Sequence, residues 1–121
     1  MCGIVGLFIK NPALESQLGA LVAPMLSEMT ERGPDSAGMA VYRDPNDKGC
    51  KVTVLSQKLD FDWASFEKSV NSNFFLKKFT VTQNHAVLSL DNSLNEVEEW
   101  LALNWSDLSV TSAGTNIEIF K

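Results

Sequence analysis

The first third of the chain alternates between apolar runs and chain-breaking residues. Residues 3–9 form a short apolar run, which predicts a buried strand. Asn11 and Pro12 then mark the start of a helix, because Asn caps free N–H groups and Pro is tolerated in a first turn. Leu and Met recur at helical spacing up to Met29, with Pro24 inside the pattern, where a kink or short break is expected.

The predicted helix is followed by a stop signal and a different pattern. Gly33 is expected in a left-handed cap, and the following Pro cannot continue the helix. Met39–Tyr42 is predicted as a strand, and residues 43–49 are rich in turn formers and predict a loop.

The rest of the chain predicts strands and helices in regular alternation. Asp62 caps one predicted helix, and Ser93 with Glu96 forms a capping box for another. Predicted strands cover residues 51–56, 79–82, 85–90, 108–110 and 117–120. The order strand, helix, strand, strand, helix, strand, strand is close to a split β-α-β unit of ferredoxin-like type, so an α+β class is expected.

Composition narrows the functional classes. The chain has 121 residues, of which 45% are hydrophobic and 21% are charged, as in a globular domain. The net charge of −5 and the scattered Lys and Arg argue against a nucleic-acid partner. No signal peptide or membrane-length apolar window is found, so no membrane association is expected. Cys2 and Cys50 are interpreted as free thiols in a reducing compartment, the cytoplasm.

Cys2 is the first candidate for chemistry. Once Met1 is removed, Cys2 carries a thiol and a free α-amine on one residue. An α-amine has an ordinary pKa of about 7.7–8.0, so it can act as the general base for its own side chain. Taken alone, however, a cysteine at position two is better explained by chance, as a small apolar side chain.

A second motif lies about thirty residues later, at residues 32–38 (RGPDSAG). Arg32 offers a planar fork of donors, Asp35 and Ser36 can accept from nearby backbone N–H groups, and Gly38 permits a close approach. Taken alone, this segment also fits a simple connection from a helix to a strand.

Together, residues 2–8 (CGIVGLF) and 32–38 resemble the start of class II glutamine amidotransferases, in both order and spacing. The resemblance implies that Cys2 attacks the side-chain amide of glutamine, that ammonia leaves, and that water releases glutamate from a thioester. It also implies that Arg32 organises the terminal nucleophile, with Gly33, Asp35, Ser36 and Gly38 shaping the same corner. No cofactor or metal is implied.

The same resemblance implies a fold and a partner. Residues 1–43 would begin a four-layer αββα domain of the N-terminal-nucleophile hydrolases, residues 44–50 would be a linker, and residues 51–121 would be a ferredoxin-like insertion. A synthase domain or subunit would accept the ammonia. The sequence of residues 29–42 further resembles the glutamate-synthase-like branch of the family. That branch contains the amidotransferase-like subunit that acts with N-methylglutamate synthase partners.

The chain departs from the family pattern in its second half. The family carries a His-Thr-Arg-like strand that holds the glutamine carboxylate and an Asn-Gly pair that stabilises the oxyanion. Here His85 is followed by Ala and Val, no Asn-Gly pair occurs, and Arg43 is the last arginine. The expectation is a truncated enzyme that is inactive by itself. The alternative is a non-catalytic binding or regulatory module with a vestigial Cys2.

Overall fold

The structure, a computed structural model, describes residues 2–121. The chain forms two compact units, the first ending at Ala37 and the second spanning Gly38–Lys121. The predicted linker at residues 44–50 remains a prediction. The two compact units divide at a different place, between Ala37 and Gly38.

The first unit is helical. A 3-10 segment, Pro12–Gln17, leads into helix α1, Leu18–Glu28, and a 3-10 turn, Thr30–Arg32, follows. Asn11 caps the start as predicted, because its Oδ1 accepts from the Ala13 N–H at 3.1 Å. None of the three helical segments contains a fully buried residue.

The structure differs from three predictions for this unit. Residues 3–9 do not form a strand, because an isolated apolar run has no neighbour to take its backbone hydrogen bonds. Helix α1 continues through Pro24 without a break, because Pro removes a single N–H while the turns on both sides keep theirs; the kink that was the other expectation stays a prediction. Gly33 is not left-handed, with φ at −151°. Its N–H donates to the Thr30 carbonyl at 3.3 Å, and this bond closes the 3-10 turn without a left-handed residue.

The second unit contains two antiparallel sheets and two helices. Its elements are β1 (Met39–Tyr42), β2 (Cys50–Ser56), α2 (Trp63–Asn73), β3 (Leu76–Thr82), β4 (His85–Leu90), α3 (Leu94–Asn104), β5 (Leu108–Gly114) and β6 (Ile117–Phe120). Strands β3, β4, β2 and β5 form one sheet in that order, and β1 pairs with β6. The mixed structure with antiparallel sheets agrees with the predicted α+β class.

One face of the four-stranded sheet packs against α2 and α3. Its alternate positions on β2 and β4 are apolar and buried, and they meet Phe66 and Val70 of α2 and Val97 and Leu101 of α3. This follows from the period of two in strands and the helical spacing of the apolar residues. The predicted caps hold both helices: Asp62 accepts from the Ser65 N–H, and Ser93 and Glu96 form the capping box.

The other face of the sheet is polar and lies against strand β6. Lys51 and Thr53 of β2 and His85 of β4 are all at most 5% exposed. The Thr53 and Ser112 hydroxyls lie 2.8 Å apart, and the Thr111 hydroxyl donates to the Ile119 carbonyl at 2.7 Å. A register shift in β5 at this point lets hydroxyl groups bond the backbone of β6 in place of a regular ladder.

None of the helices within residues 2–121 has the length and apolar character that crossing a membrane requires.

Candidate active site

The predicted nucleophile, Cys2, lies exposed in an extended segment. Its neighbour Gly3 packs against the last turn of the helical unit. A Cβ atom placed on Gly3 would collide with the Met29 Cε and would lie 3.3 Å from the Arg32 Cβ. The absence of a side chain at Gly3 therefore lets the backbone next to Cys2 approach Arg32 closely.

Arg32 is fixed by its backbone. It ends the 3-10 turn Thr30–Arg32, and its N–H donates to the Met29 carbonyl at 3.0 Å. Its residue is exposed, and no hydrogen bond of its guanidinium group is found within the part of the chain that the structure describes. A guanidinium group carries five N–H donors, and it belongs to the turn that Gly3 contacts.

The centre of the second motif is open. Asp35 and Ser36 are exposed, and the hydrogen bonds from local backbone N–H groups predicted for them are not found among residues 2–121. A Cβ on Gly33 would meet no atom within 4 Å. The structure therefore brings Gly3, Met29 and Arg32 together, but it does not fold Asp35 and Ser36 into a closed corner.

Gly38 makes the close approach that its type suggested. A Cβ on Gly38 would lie 3.4 Å from the carbonyl oxygen of Phe120 and 3.9 Å from the Lys121 Cγ. Both neighbours are at the end of β6, consistent with the register that pairs Met39 with Phe120. The end of the second motif thus rests on strand β6.

A buried charge cluster was not predicted from the sequence. The Lys51 Nζ lies 3.2 Å from the Glu118 Oε1, and the Arg43 Nε lies 3.2 Å from the Glu118 Oε2. Lys51 and Glu118 are 67 positions apart and lie in strands that otherwise alternate as expected, so no sequence pattern links them. The only available signal was a charged residue at an inward-facing position of each strand.

The second thiol, that of Cys50, and the imidazole of His85 are both buried. Cys50 is 3% exposed, and burial, followed by the nearby Glu98 carboxylate, raises the pKa of its thiol. His85 is 4% exposed, and burial lowers the pKa of its imidazole. Within residues 2–121, no group of three or more His, Cys, Asp or Glu side chains is arranged to hold a metal ion.

Comparison with known proteins gives two relatives. The chain is 41% identical over 122 aligned residues, its whole length, to the glutamine amidotransferase-like protein GlxB of Rhizobium meliloti strain 1021. A 42-residue part of it is 50% identical to a putative glutamine amidotransferase of Methanothermobacter thermautotrophicus. The chain is related to proteins named glutamine amidotransferases. No protein-family model and no solved structure matches it.

The relatives are longer than the chain. It spans 40% of the length of GlxB and 13% of that of the archaeal relative. The activity, substrate and partners of the whole relatives therefore concern more sequence than these 121 residues.

Proposed function

We propose that this chain is the N-terminal part of a class II glutamine amidotransferase and that Cys2 is its nucleophile. The observation that carries the proposal is the contact between Gly3 and the Met29 to Arg32 turn, because it holds the residue after the nucleophile against the arginine assigned to the same site. The names of the two relatives support the amidotransferase class.

The proposed reaction needs a free N-terminus at Cys2. Met1 lies outside the described residues, and its removal would expose the α-amine. That amine takes the thiol proton, and sulfur attacks the glutamine side-chain carbonyl. The amide C–N bond breaks, ammonia leaves with the transferred proton, and a γ-glutamyl thioester remains. Water then cleaves the C–S bond, which releases glutamate and restores the thiol.

Arg32 is proposed to organise this nucleophile. Its guanidinium keeps a fixed positive charge at every relevant pH and offers up to five donors. The contact of Gly3 with the Arg32 Cβ, within the first compact unit, supports this assignment. An arginine in this position can bond a backbone carbonyl of the terminal segment and so fix where the thiol points.

The fold of the whole enzyme is also a proposal. We propose that residues 1–43 begin a four-layer αββα domain and that residues 51–121 are a ferredoxin-like insertion. The strand order supports the insertion: β4 lies between β2 and β3, which α2 joins, and β2 lies between β4 and β5, which α3 joins. Each β-α-β unit is therefore split by a strand of the other, as in ferredoxin-like folds.

The chain by itself is proposed to be inactive. It carries no arginine after Arg43 and no Asn-Gly pair, so glutamine would have neither a carboxylate clamp nor that oxyanion donor. Loss of one oxyanion donor alone typically lowers the rate by about 10²–10³-fold. The missing groups are assigned to another part of the enzyme, and a synthase domain or subunit is proposed to accept the ammonia. The enzyme is proposed to be cytoplasmic. Its placement in the glutamate-synthase-like branch rests on residues 29–42 and remains a prediction.

Labelling with 6-diazo-5-oxo-norleucine, an electrophilic glutamine analogue, tests the site. The chain offers a matched control, because Cys50 is a second thiol that is buried and has a raised pKa. We expect an adduct at Cys2 that is kept in Cys50→Ala and lost in Cys2→Ala. Equal labelling of both cysteines would indicate ordinary thiol reactivity and would contradict a formed site.

The second candidate function is a non-catalytic binding or regulatory module. It is favoured by the distribution of burial, since every fully buried residue within residues 2–121 belongs to Gly38–Lys121 and none to the helical segments of the first unit. If residues 38–121 folded alone, and if the full chain bound the ammonia-accepting synthase with unchanged affinity after Cys2→Ala and Arg32→Ala, this second function would be preferred for the chain.

A further inference from the structure

The end of strand β6 connects the second motif to the histidine of the chain. Gly38 rests against the Phe120 carbonyl and the Lys121 side chain. Lys121 in turn donates its backbone N–H to the Nε2 of His85 at 3.1 Å. The imidazole also packs on the Phe120 ring, with ring centres 5.4 Å apart. His85 therefore fixes the same two residues that Gly38 contacts.

This contact requires a neutral imidazole. A ring nitrogen that accepts a hydrogen bond carries no proton, so Nε2 is the acceptor and the proton of neutral His85 lies on Nδ1. Protonation would turn Nε2 into a donor facing the N–H of Lys121, and the hydrogen bond would be lost. The desolvation of a cation at a site that is 4% exposed adds to the cost.

Among residues 2–121, no charged residue is the strand partner of His85, so the protonation of His85 itself decides whether this hydrogen bond forms. Its strand partners Leu55 on β2 and Thr82 on β3 are uncharged, and the sequences of β1, β4 and β5 contain no Asp, Glu, Lys or Arg. Glu118 of β6 pairs with Lys51 of β2 and with Arg43.

Lys77, Lys78 and Lys121 are the other charged residues of the segments around His85. Lys77 and Lys78 stand toward the start of β3, where Lys78 pairs with Ser89 rather than with His85. Lys121 contributes its ammonium group and, in a polypeptide of these 121 residues, a terminal carboxylate.

We propose that neutral His85 is a positioning residue for the Gly38 end of the candidate active-site segment, and that protonation of His85 releases this end from strand β6. The role of Gly38 in a site rests on the proposed function. The mechanical link from His85 through Lys121 to Gly38 does not, because it is defined within one compact unit.

Nuclear magnetic resonance of the ¹⁵N-labelled chain tests the link. The chain has one histidine, so a titration between about pH 7.5 and 5, which brackets the ordinary histidine pKa of about 6.5, is assigned without ambiguity. We expect the amide signals of Lys121 and Gly38 to move with the same midpoint as the His85 ring protons.

Two variants of His85 distinguish the loss of this one hydrogen bond from a general loss of stability at low pH. His85→Gln keeps an acceptor but no titration, so both amides should stay near their neutral-pH positions throughout the range. His85→Phe keeps a ring but no acceptor, so both should take their low-pH positions already at pH 7.5. A Gly38 amide that ignores the His85 midpoint, or one that still titrates in His85→Gln, would overturn the proposal. These outcomes are read from amide signals, so they are independent of whether Cys2 reacts with the glutamine analogue.

Discussion

The unequal pairing of Glu118 gives a sharp test of what holds β6 to the sheet. One carboxylate accepts from two cations at the same distance, 3.2 Å, but the Lys51 side chain is 7% exposed and that of Arg43 is 63% exposed. Removing one partner of a buried pair typically costs about 3–5 kcal/mol, because it leaves an uncompensated charge. An exposed pair typically contributes only about 0–1 kcal/mol.

Lys51→Met leaves Glu118 with only the solvent-exposed Arg43 as a partner, so we expect it to lower the free energy of unfolding by up to about 3–5 kcal/mol. Arg43→Met should lower it by about 1 kcal/mol or less. The double variant Lys51→Met, Glu118→Met removes both buried charges and should be more stable than Lys51→Met alone.

Urea unfolding followed by tryptophan fluorescence measures these differences. Trp63 and Trp100 lie in α2 and α3 and Trp105 ends α3, so all three report on the second unit. Equal losses for Arg43→Met and Lys51→Met would refute the account, because they would show that burial does not decide the strength of the two pairs. A double variant that loses the sum of its single variants would also refute it.

Three further predictions concern single positions in the second unit. Gly49→Ala should lower the free energy of unfolding by more than about 1 kcal/mol in a urea titration, because φ at Gly49 is +79° and the new Cβ would collide with the Leu90 carbonyl oxygen; an unchanged midpoint would contradict this. Asp62→Ala should lower it through loss of the bond from the Ser65 N–H, whereas Asp62→Asn, which keeps a capping oxygen, should lose less. Burial lowers the pKa of His85 in the folded state, so the unfolded chain binds its proton first. Stability should be constant well above the ordinary histidine pKa of about 6.5 and should fall as the pH drops through it toward the folded value. His85→Gln should remove this slope in urea titrations, and a slope that persists would assign it to other groups.

The sequence predicted the second unit well because its local signals agree with its packing. The cap at Asp62, the capping box at Ser93 and the alternation of 85–90 each point to the element that the structure contains. Strand β5 extends beyond the predicted residues 108–110, since its second half is held by hydroxyl groups of Thr111 and Ser112 rather than by an apolar pattern.

Contacts between distant positions of the second unit could not be predicted from the sequence. The pairing of β1 with β6 joins segments almost eighty positions apart, and no local pattern encodes it. The Lys51–Glu118 pair has the same cause, because a lone charge in a strand does not name its partner. The contact of Gly38 with Phe120 follows from this pairing and was predicted only as a close approach of unknown kind.

In the first unit, by contrast, a clear local pattern predicted a strand that the structure does not contain. Residues 3–9 have the composition of a buried strand, yet Ile4 is 95% exposed and Phe8 is 83% exposed. An apolar pattern indicates that a segment favours burial. A strand also requires a neighbouring backbone to take its hydrogen bonds, and the pattern does not show whether one is present. Of the candidate site, the sequence located Cys2 and Arg32, while the contact of Gly3 with the Arg32 turn became visible only in the structure.

The intact mass of the purified chain tests the central claim most directly. A nucleophile that uses its own α-amine requires that Met1 be removed and that Cys2 carry no blocking group. The account predicts a mass lower by one methionine residue, and a first cycle of N-terminal sequencing that reads Cys2. A chain that keeps Met1, or a Cys2 with an acetylated amine, would contradict Cys2 as the nucleophile.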